Sequence, residues 1–192
     1  MAVKLQKVTK GQKVSLEKSM KMALVGLGWG AKFDLDVSAF CVGANGLCAV
    51  EEDFVFYGNL THPSGAVFSK GDERGDNVSE DDEGDDEQIV IDFGKVPGSI
   101  EKIVIVVTIY DVGPTFGQVS NAYVRVAKIN TVDDEVGETV IEYDLEDEFS
   151  SETAVVAAEI YRSGNEWKFA AVGQGFEGGL AAMCANYGID AE

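Results

Sequence analysis

The run Glu101-Lys102-Ile103-Val104-Ile105-Val106-Val107-Thr108-Ile109-Tyr110 is nearly continuous in apolar side chains, most of them β-branched. It is far shorter than the ~20 apolar residues of a membrane helix. Its composition instead suits a central strand covered on both faces. Shorter apolar or alternating runs recur on either side of it, with turn residues between them. Strands are predicted over Lys21–Leu27, Phe33–Val42, Leu47–Val50, Asp53–Tyr57, Ala66–Phe68, Gln88–Phe93, Glu101–Tyr110, Asn121–Ile129, Glu138–Asp144, Thr153–Tyr161 and Glu166–Val172. Turn signals stand at Gly28–Gly30, Asn45-Gly46, His62-Pro63-Ser64-Gly65, Pro97-Gly98, Gly113-Pro114 and Gly164-Asn165. About ten strands at this spacing fit two packed sheets better than a βαβ array. The expected fold class is therefore all-β, a β-sandwich of two mostly antiparallel sheets. One helix is expected at the C-terminus, over Phe176–Tyr187, where Phe176, Leu180, Met183, Cys184 and Tyr187 form a single apolar stripe ahead of a Gly188 cap. Length and the absence of a linker or repeat predict one domain over residues 1–192.

Charge narrows the function classes. Thirty-four Asp and Glu against fifteen Lys and Arg give a net charge of −19. A surface of that sign repels phosphate backbones, so nucleic-acid binding through a basic footprint is not expected. Cations, basic proteins and basic peptides are the natural partners. The N-terminal stretch has no apolar core of a signal peptide, and no transmembrane run is present. A cytoplasmic location is expected, with peripheral membrane association left open. Three cysteines, Cys41, Cys48 and Cys184, are too few for a disulfide scaffold and fit buried, reduced thiols. A two-residue hairpin at Asn45-Gly46 would pair Cys41 with Val50 and set Cys41 and Cys48 on one face as diagonal neighbours.

The composition changes abruptly once. From Gly71 to Glu87 ten of seventeen residues are acidic, which reads as a long loop between two strands. Two carboxylates about 4 Å apart repel by roughly 4 kcal/mol at an effective dielectric near 20. The acids of this loop must therefore spread into solvent or share a counterion. Glycines at 71, 75 and 84 would let the backbone curl around an ion, and Asp85-Asp86-Glu87 is joined directly to a strand. A second set lies in Phe33-Asp34-Leu35-Asp36-Val37-Ser38-Ala39, where period 2 places Asp34, Asp36 and Ser38 on one face. That face is either plain solvent surface or one wall of a site. If the loop folds over it, hard oxygen ligands converge from two directions and suit Ca²⁺, with Mg²⁺ less suited. One histidine and scattered thiols do not suit a soft metal. The loop lacks an EF-hand frame, since Asp86 stands where that frame needs glycine.

Several motifs in order resemble the TerD (tellurium-resistance) family. They are Val25-Gly26-Leu27-Gly28-Trp29, Asp34-Leu35-Asp36-Val37-Ser38-Ala39, Gly75-Asp76-Asn77, Gly84-Asp85-Asp86-Glu87, the segment from Trp167 to Gly175, and Gly178-Gly179-Leu180. The resemblance implies a β-sandwich that binds one or two Ca²⁺ ions through these acidic motifs. It also implies a part in resistance to tellurite and other stresses, with protein partners in a stress-response complex and no established enzymatic reaction. The ligands it implies are Asp34, Asp36, Asp76, Asn77, Asp85, Asp86 and Glu87, with Ser38 weaker. This chain departs from the family pattern in three places. Trp29 runs almost directly into Phe33, Val78–Glu83 replaces glycines, and Gly71-Asp72-Glu73 offers a competing Gly-Asp alignment.

Two other function classes remain. One is an interaction module that presents its acidic loop to basic partners without specific metal; the other is a hydrolase using strand and loop carboxylates such as Asp34 and Asp86. Gly173-Gln174-Gly175-Phe176-Glu177-Gly178 matches a dinucleotide-binding pattern, but no strand and acid follow it, so it reads as a strand-to-helix turn. Asn59-Leu60-Thr61 and Asn77-Val78-Ser79 are chance acceptor patterns without a secretory signal. His62 is expected to be a solvated turn residue, and Trp29 and Trp167 packing residues.

Overall fold

The computed structural model describes residues 4–71, 84–134, 137–145 and 149–191. Among the described residues, twelve strands form two six-stranded sheets that pack face to face. Sheet A contains β1 (Gln6–Val8), β10 (Glu138–Asp144), β9 (Ser120–Ile129), β3 (Met22–Gly30), β7 (Glu87–Asp92) and β6 (Val67–Ser69), in that spatial order. Sheet B contains β2 (Lys13–Ser15), β12 (Glu166–Phe176), β11 (Ala154–Ser163), β8 (Lys102–Ile109), β4 (Leu35–Val42) and β5 (Phe54–Val55). All pairings are antiparallel except β1 with β10. The predicted sandwich is the observed one.

Strand β8 has the doubly buried position its composition demands. Ile103, Ile105, Val107 and Ile109 face the inter-sheet core, while Val104 and Val106 face a second layer on the outside of sheet B. That layer is α1 (Gly179–Asn186), whose Met183 and Cys184 pack on Phe40, Val104, Val106 and Val156. Gly188, at φ +78°, ends the helix, and the Ile189 N–H returns to the Cys184 carbonyl at 2.8 Å. The helix starts later than predicted because Phe176 is still paired, with Ala154, as the last residue of β12.

Several expectations are corrected. Gly28–Gly30 is no turn: β3 continues to Gly30 and pairs with β9 to its end, across a register shift between Gly28 and Gly30. Leu47–Val50 is not a strand, because the turn closes early, Gly43 N–H to Leu47 O at 3.0 Å, and the Cys48 N–H goes to the Tyr187 carbonyl at 2.9 Å instead. Cys41 and Cys48 consequently do not share a face. Cys41 lies in the inter-sheet core and Cys48 in the outer layer with Cys184, and all three thiols are free and buried. Burial is the first cause that pushes the Cys48 thiol up to about 12, so these sulfurs stay protonated. β1 and β2 were not foreseen. These three-residue, lysine-bearing strands join opposite sheets at their edges, and the N-terminal segment thereby ties the sandwich together along one side.

Candidate functional site

The candidate site lies where the start of β7 meets β3 and β4. Asp85, Asp86 and Glu87 follow one another in the chain, and each carboxylate goes to a different anchor. Asp85 turns to the outer face of sheet A. There it accepts Arg125 Nε at 2.7 Å and Nη2 at 2.5 Å, Tyr123 Oη at 3.0 Å and Gln88 Nε2 at 2.9 Å. Its side chain is 1% exposed and that of Arg125 is 17% exposed. The carboxylate raises the Arg125 guanidinium above its ordinary range, chiefly through these hydrogen bonds. Burial, with the Asp85 charge beside it, raises the Tyr123 phenol.

Room for this clamp comes from glycines. Gly26 pairs with Arg125 on one side and Gln88 on the other, and a Cβ at Gly26 would lie 2.1 Å from Asp85 Oδ2. A Cβ at Gly28 would lie 2.4 Å from the Tyr123 ring. Glycine inside a strand marks such a close approach, so the alternation in Val25-Gly26-Leu27-Gly28-Trp29 was the available signal, though it did not name Arg125. Gly26→Ala is expected to destabilise the protein by about 1–3 kcal/mol through overpacking against a carboxylate that four hydrogen bonds hold still. Gly84→Ala, which would meet no atom within 4 Å, is expected to stay within about 0.5 kcal/mol of the parent. Urea midpoints at constant slope check the pair; equal effects would contradict the close-approach reading.

Asp86 stays at the end of the sheet. Its Oδ2 accepts the Trp29 N–H at 2.8 Å, and its own N–H bonds the Leu27 carbonyl at 2.8 Å. Burial raises its pKa, the Trp29 N–H lowers it, and the adjacent Asp85 charge raises it again, for a net upward shift. Glu87 is buried and points between the sheets, where its Oε2 accepts the Val37 N–H at 2.8 Å. β5 pairs with β4 only at Ala39 and Phe40, so the Glu87 carboxylate continues the hydrogen bonding of that edge beyond β5. This contact carries the anchored end of the acidic segment onto the strand that bears the other predicted ligands.

On β4, Leu35, Val37, Ala39 and Cys41 fill the inter-sheet core, whereas Phe40 and Val42 face α1. Strand alternation places Asp36 and Ser38 on this outer face. They are not solvent residues: Asp36 is 7% exposed and Ser38 2%. Asp36 is paired across the strand with Thr108, which is also buried. Ser38 Oγ is buried without a hydrogen-bond partner among the described residues. Asp34 is half-buried just before the strand; its N–H donates to Asp111 Oδ2 at 3.1 Å, and its carbonyl accepts from Tyr110 N–H at 3.0 Å. Asp76 and Asn77 lie outside the described residues. Among the described residues, no three His, Cys, Asp or Glu side chains are gathered as a metal-holding group.

His62 departs from expectation. It is 5% exposed, its Nε2 lies 2.9 Å from Asp53 Oδ1, and its Nδ1 accepts the Ser64 N–H at 3.1 Å. Asp53 Oδ2 accepts the Ala49 and Val50 N–H groups, so the histidine bolts two turns together. Trp167 packs as predicted, against Phe93 at 5.2 Å with Arg162 stacked on it at 4.5 Å. No helix among the described residues is long and apolar enough to cross a membrane.

Two sheets packed in this order define a class of β-sandwich found in solved structures. One is a homologue of telluride resistance protein (TerD) from Streptomyces coelicolor A3(2). It matches with a TM-score of 0.62 at 20% identity, over 86% of this chain and 95% of its own. The TerD domain model matches residues 1–187. The tellurium resistance protein TerD of Serratia marcescens is 46% identical over 96% of this chain and 97% of its own length. General stress protein 16U of Bacillus subtilis is 44% identical over 95% and 96%. The uncharacterized protein YceE, also of Bacillus subtilis, is 50% identical over 98% and 99%. The chain belongs to the TerD family, among whose members are tellurium-resistance and stress proteins.

Proposed function

We propose that this protein is a cytoplasmic calcium-binding module of a stress response, in which Ca²⁺ orders the acidic segment and so completes a surface for protein partners. The observation that carries this reading is the Glu87–Val37 hydrogen bond, which sets the anchored end of the segment against the strand of Asp34 and Asp36. The donor set fits the ion: oxygens alone, in two groups, with the buried Ser38 hydroxyl beside Asp36. In this reading Ca²⁺ draws Asp34 and Asp36 of the strand together with Asp86 and Glu87 of the segment's end, which the described residues do not gather into one group, and Asp76 and Asn77 supply the remaining oxygens. We assign Asp85 to anchoring, because its two oxygens already serve Arg125, Tyr123 and Gln88. Calcium supplies the positive charge that lets the other carboxylates share one place. Burial first, and the adjacent Asp85 charge after it, raise the Asp86 pKa, a penalty on its charged form that a bound cation would offset.

Binding to the folded state stabilises it by about 2.7 kcal/mol at a hundredfold excess over Kd, which for a chain of this size raises Tm by roughly 5–10 °C. That rise is the expected result with Ca²⁺ and not with equal Mg²⁺. In Asp36→Asn and Asp86→Asn the rise is expected to vanish. Asp86→Asn without calcium is expected to be as stable as the parent or more so, since the amide oxygen still accepts from Trp29 and a crowded charge is gone. Calorimetric titration showing no Ca²⁺ uptake by the parent protein would falsify this reading.

A further inference from the structure

A ladder of aromatic rings runs out of the sandwich to a surface that meets the acidic corner at Asp34. Phe40 stacks on Phe54 at 4.3 Å, Phe54 on Phe56 at 4.3 Å, Phe56 meets Tyr57 edge-on at 5.0 Å, and Tyr57 meets Tyr110 edge-on at 6.4 Å. Phe40 and Phe54 are buried and Phe56 is half-buried, but Tyr57 is 56% and Tyr110 60% exposed. Beyond Tyr110, Val112 stands fully in solvent at the tip of a turn that Gly113, at φ +116°, closes. Single exposed apolar residues need no explanation, but two tyrosines in mutual contact beside a protruding valine form a continuous patch. Carboxylates border it. Asp111 follows Tyr110 in the chain, and its Oδ2 is held by the Asp34 N–H at 3.1 Å.

We propose that this tyrosine corner docks a basic protein segment, an arginine or lysine side chain lying against the Tyr57 and Tyr110 rings with its charge toward Asp34 and Asp111. The chemistry is a cation on aromatic faces, reinforced by carboxylates at its rim. Charge decides the occupant. With a net charge of −19, a second copy of this chain, a nucleic acid or an anionic membrane is repelled, and a basic polypeptide is drawn in. The ladder supplies rigidity: rings already stacked on a buried core lose little freedom on binding, and tyrosine and arginine are the residues that dominate such contacts.

The test uses the whole protein in chelator at physiological salt, which keeps it independent of calcium. The probes are a fluorescently labelled alternating Arg-Gly peptide and the same peptide with citrulline in place of arginine. Expected are binding of the arginine peptide only, amide shifts at Tyr57 and Tyr110–Val112, and at least about tenfold weaker binding in Tyr57→Ala and Tyr110→Ala. Unchanged circular dichroism and Tm in these variants show that the loss is not misfolding, as expected for exposed residues; if Tyr110→Ala misfolds, Asp111→Asn carries the same prediction of weaker binding. Absent binding, equal binding of the citrulline peptide, undiminished affinity in the variants, or shifts confined to residues 71–87 each overturn the proposal.

Discussion

Arg125→Met is expected to destabilise the protein by about 3–5 kcal/mol, the loss found when one partner of a buried ion pair is removed and the other stays charged. Asp85 is almost fully enclosed, and two of its four hydrogen bonds come from the guanidinium. Without Arg125 a carboxylate would be left above Gly26 with only a phenol and an amide. It would have to take up a proton, swing out, or draw water into the face of sheet A. Any of these frees the end of the acidic segment, since Asp86 and Glu87 follow directly. For a chain of this length the drop in Tm is roughly 10 °C. Asp85→Leu combined with Arg125→Met is expected to recover most of the loss, because the desolvated charge is then absent. Denaturant titrations of the two single variants and the double variant decide it. A loss below about 1 kcal/mol in Arg125→Met would place the pair with weak surface ion pairs.

Phe40→Ala is expected to destabilise by a similar amount, about 3–5 kcal/mol, for a different reason. The ring has 0% exposure and lies between Phe54, at 4.3 Å and 11° to it, and Tyr187, at 4.7 Å and 30°. Truncation opens a cavity between sheet B and α1, and neither rigid neighbour can collapse into it. Because Tyr187 ends the helix and its carbonyl holds Cys48, the damage should reach α1 first. Faster amide exchange over Gly179–Asn186 is therefore expected alongside the lower denaturation midpoint. Full protection of α1, or a loss under about 2 kcal/mol, would contradict the packing described for the outer layer.

The difference between legible and illegible parts is plain in particular segments. The alternation and β-branched content of Glu101–Tyr110, Gln88–Phe93 and Thr153–Tyr161 gave strands close to those observed, because such patterns register burial directly. β1 and β2 carry no comparable pattern; they are strands because β10 and β12 offer them edges. Leu47–Val50 looked like a hairpin partner for β4, yet the end of α1 took the Cys48 N–H. His62 sat in a recognisable turn, but its burial follows from where Asp53 comes to lie. At the candidate site, Asp34, Asp36, Asp85, Asp86 and Glu87 could be picked out by spacing. Their directions could not, and three successive acids turned to three unrelated anchors.

The amino-acid order alone determined the two-sheet sandwich, the C-terminal helix and the acidic segments, since periodicity, turn chemistry and charge are local properties, and its ordered motifs carried the family resemblance. Only the tertiary structure decided that Asp85 is neutralised by Arg125, that Glu87 reaches Val37 in the opposite sheet, and that Asp36 and Ser38 are buried. The reason is that a carboxylate's partner is set by which strands become neighbours. Where adjoining strands are far apart in the chain, as β3 and β9 are, spacing in the sequence carries no record of that neighbourhood.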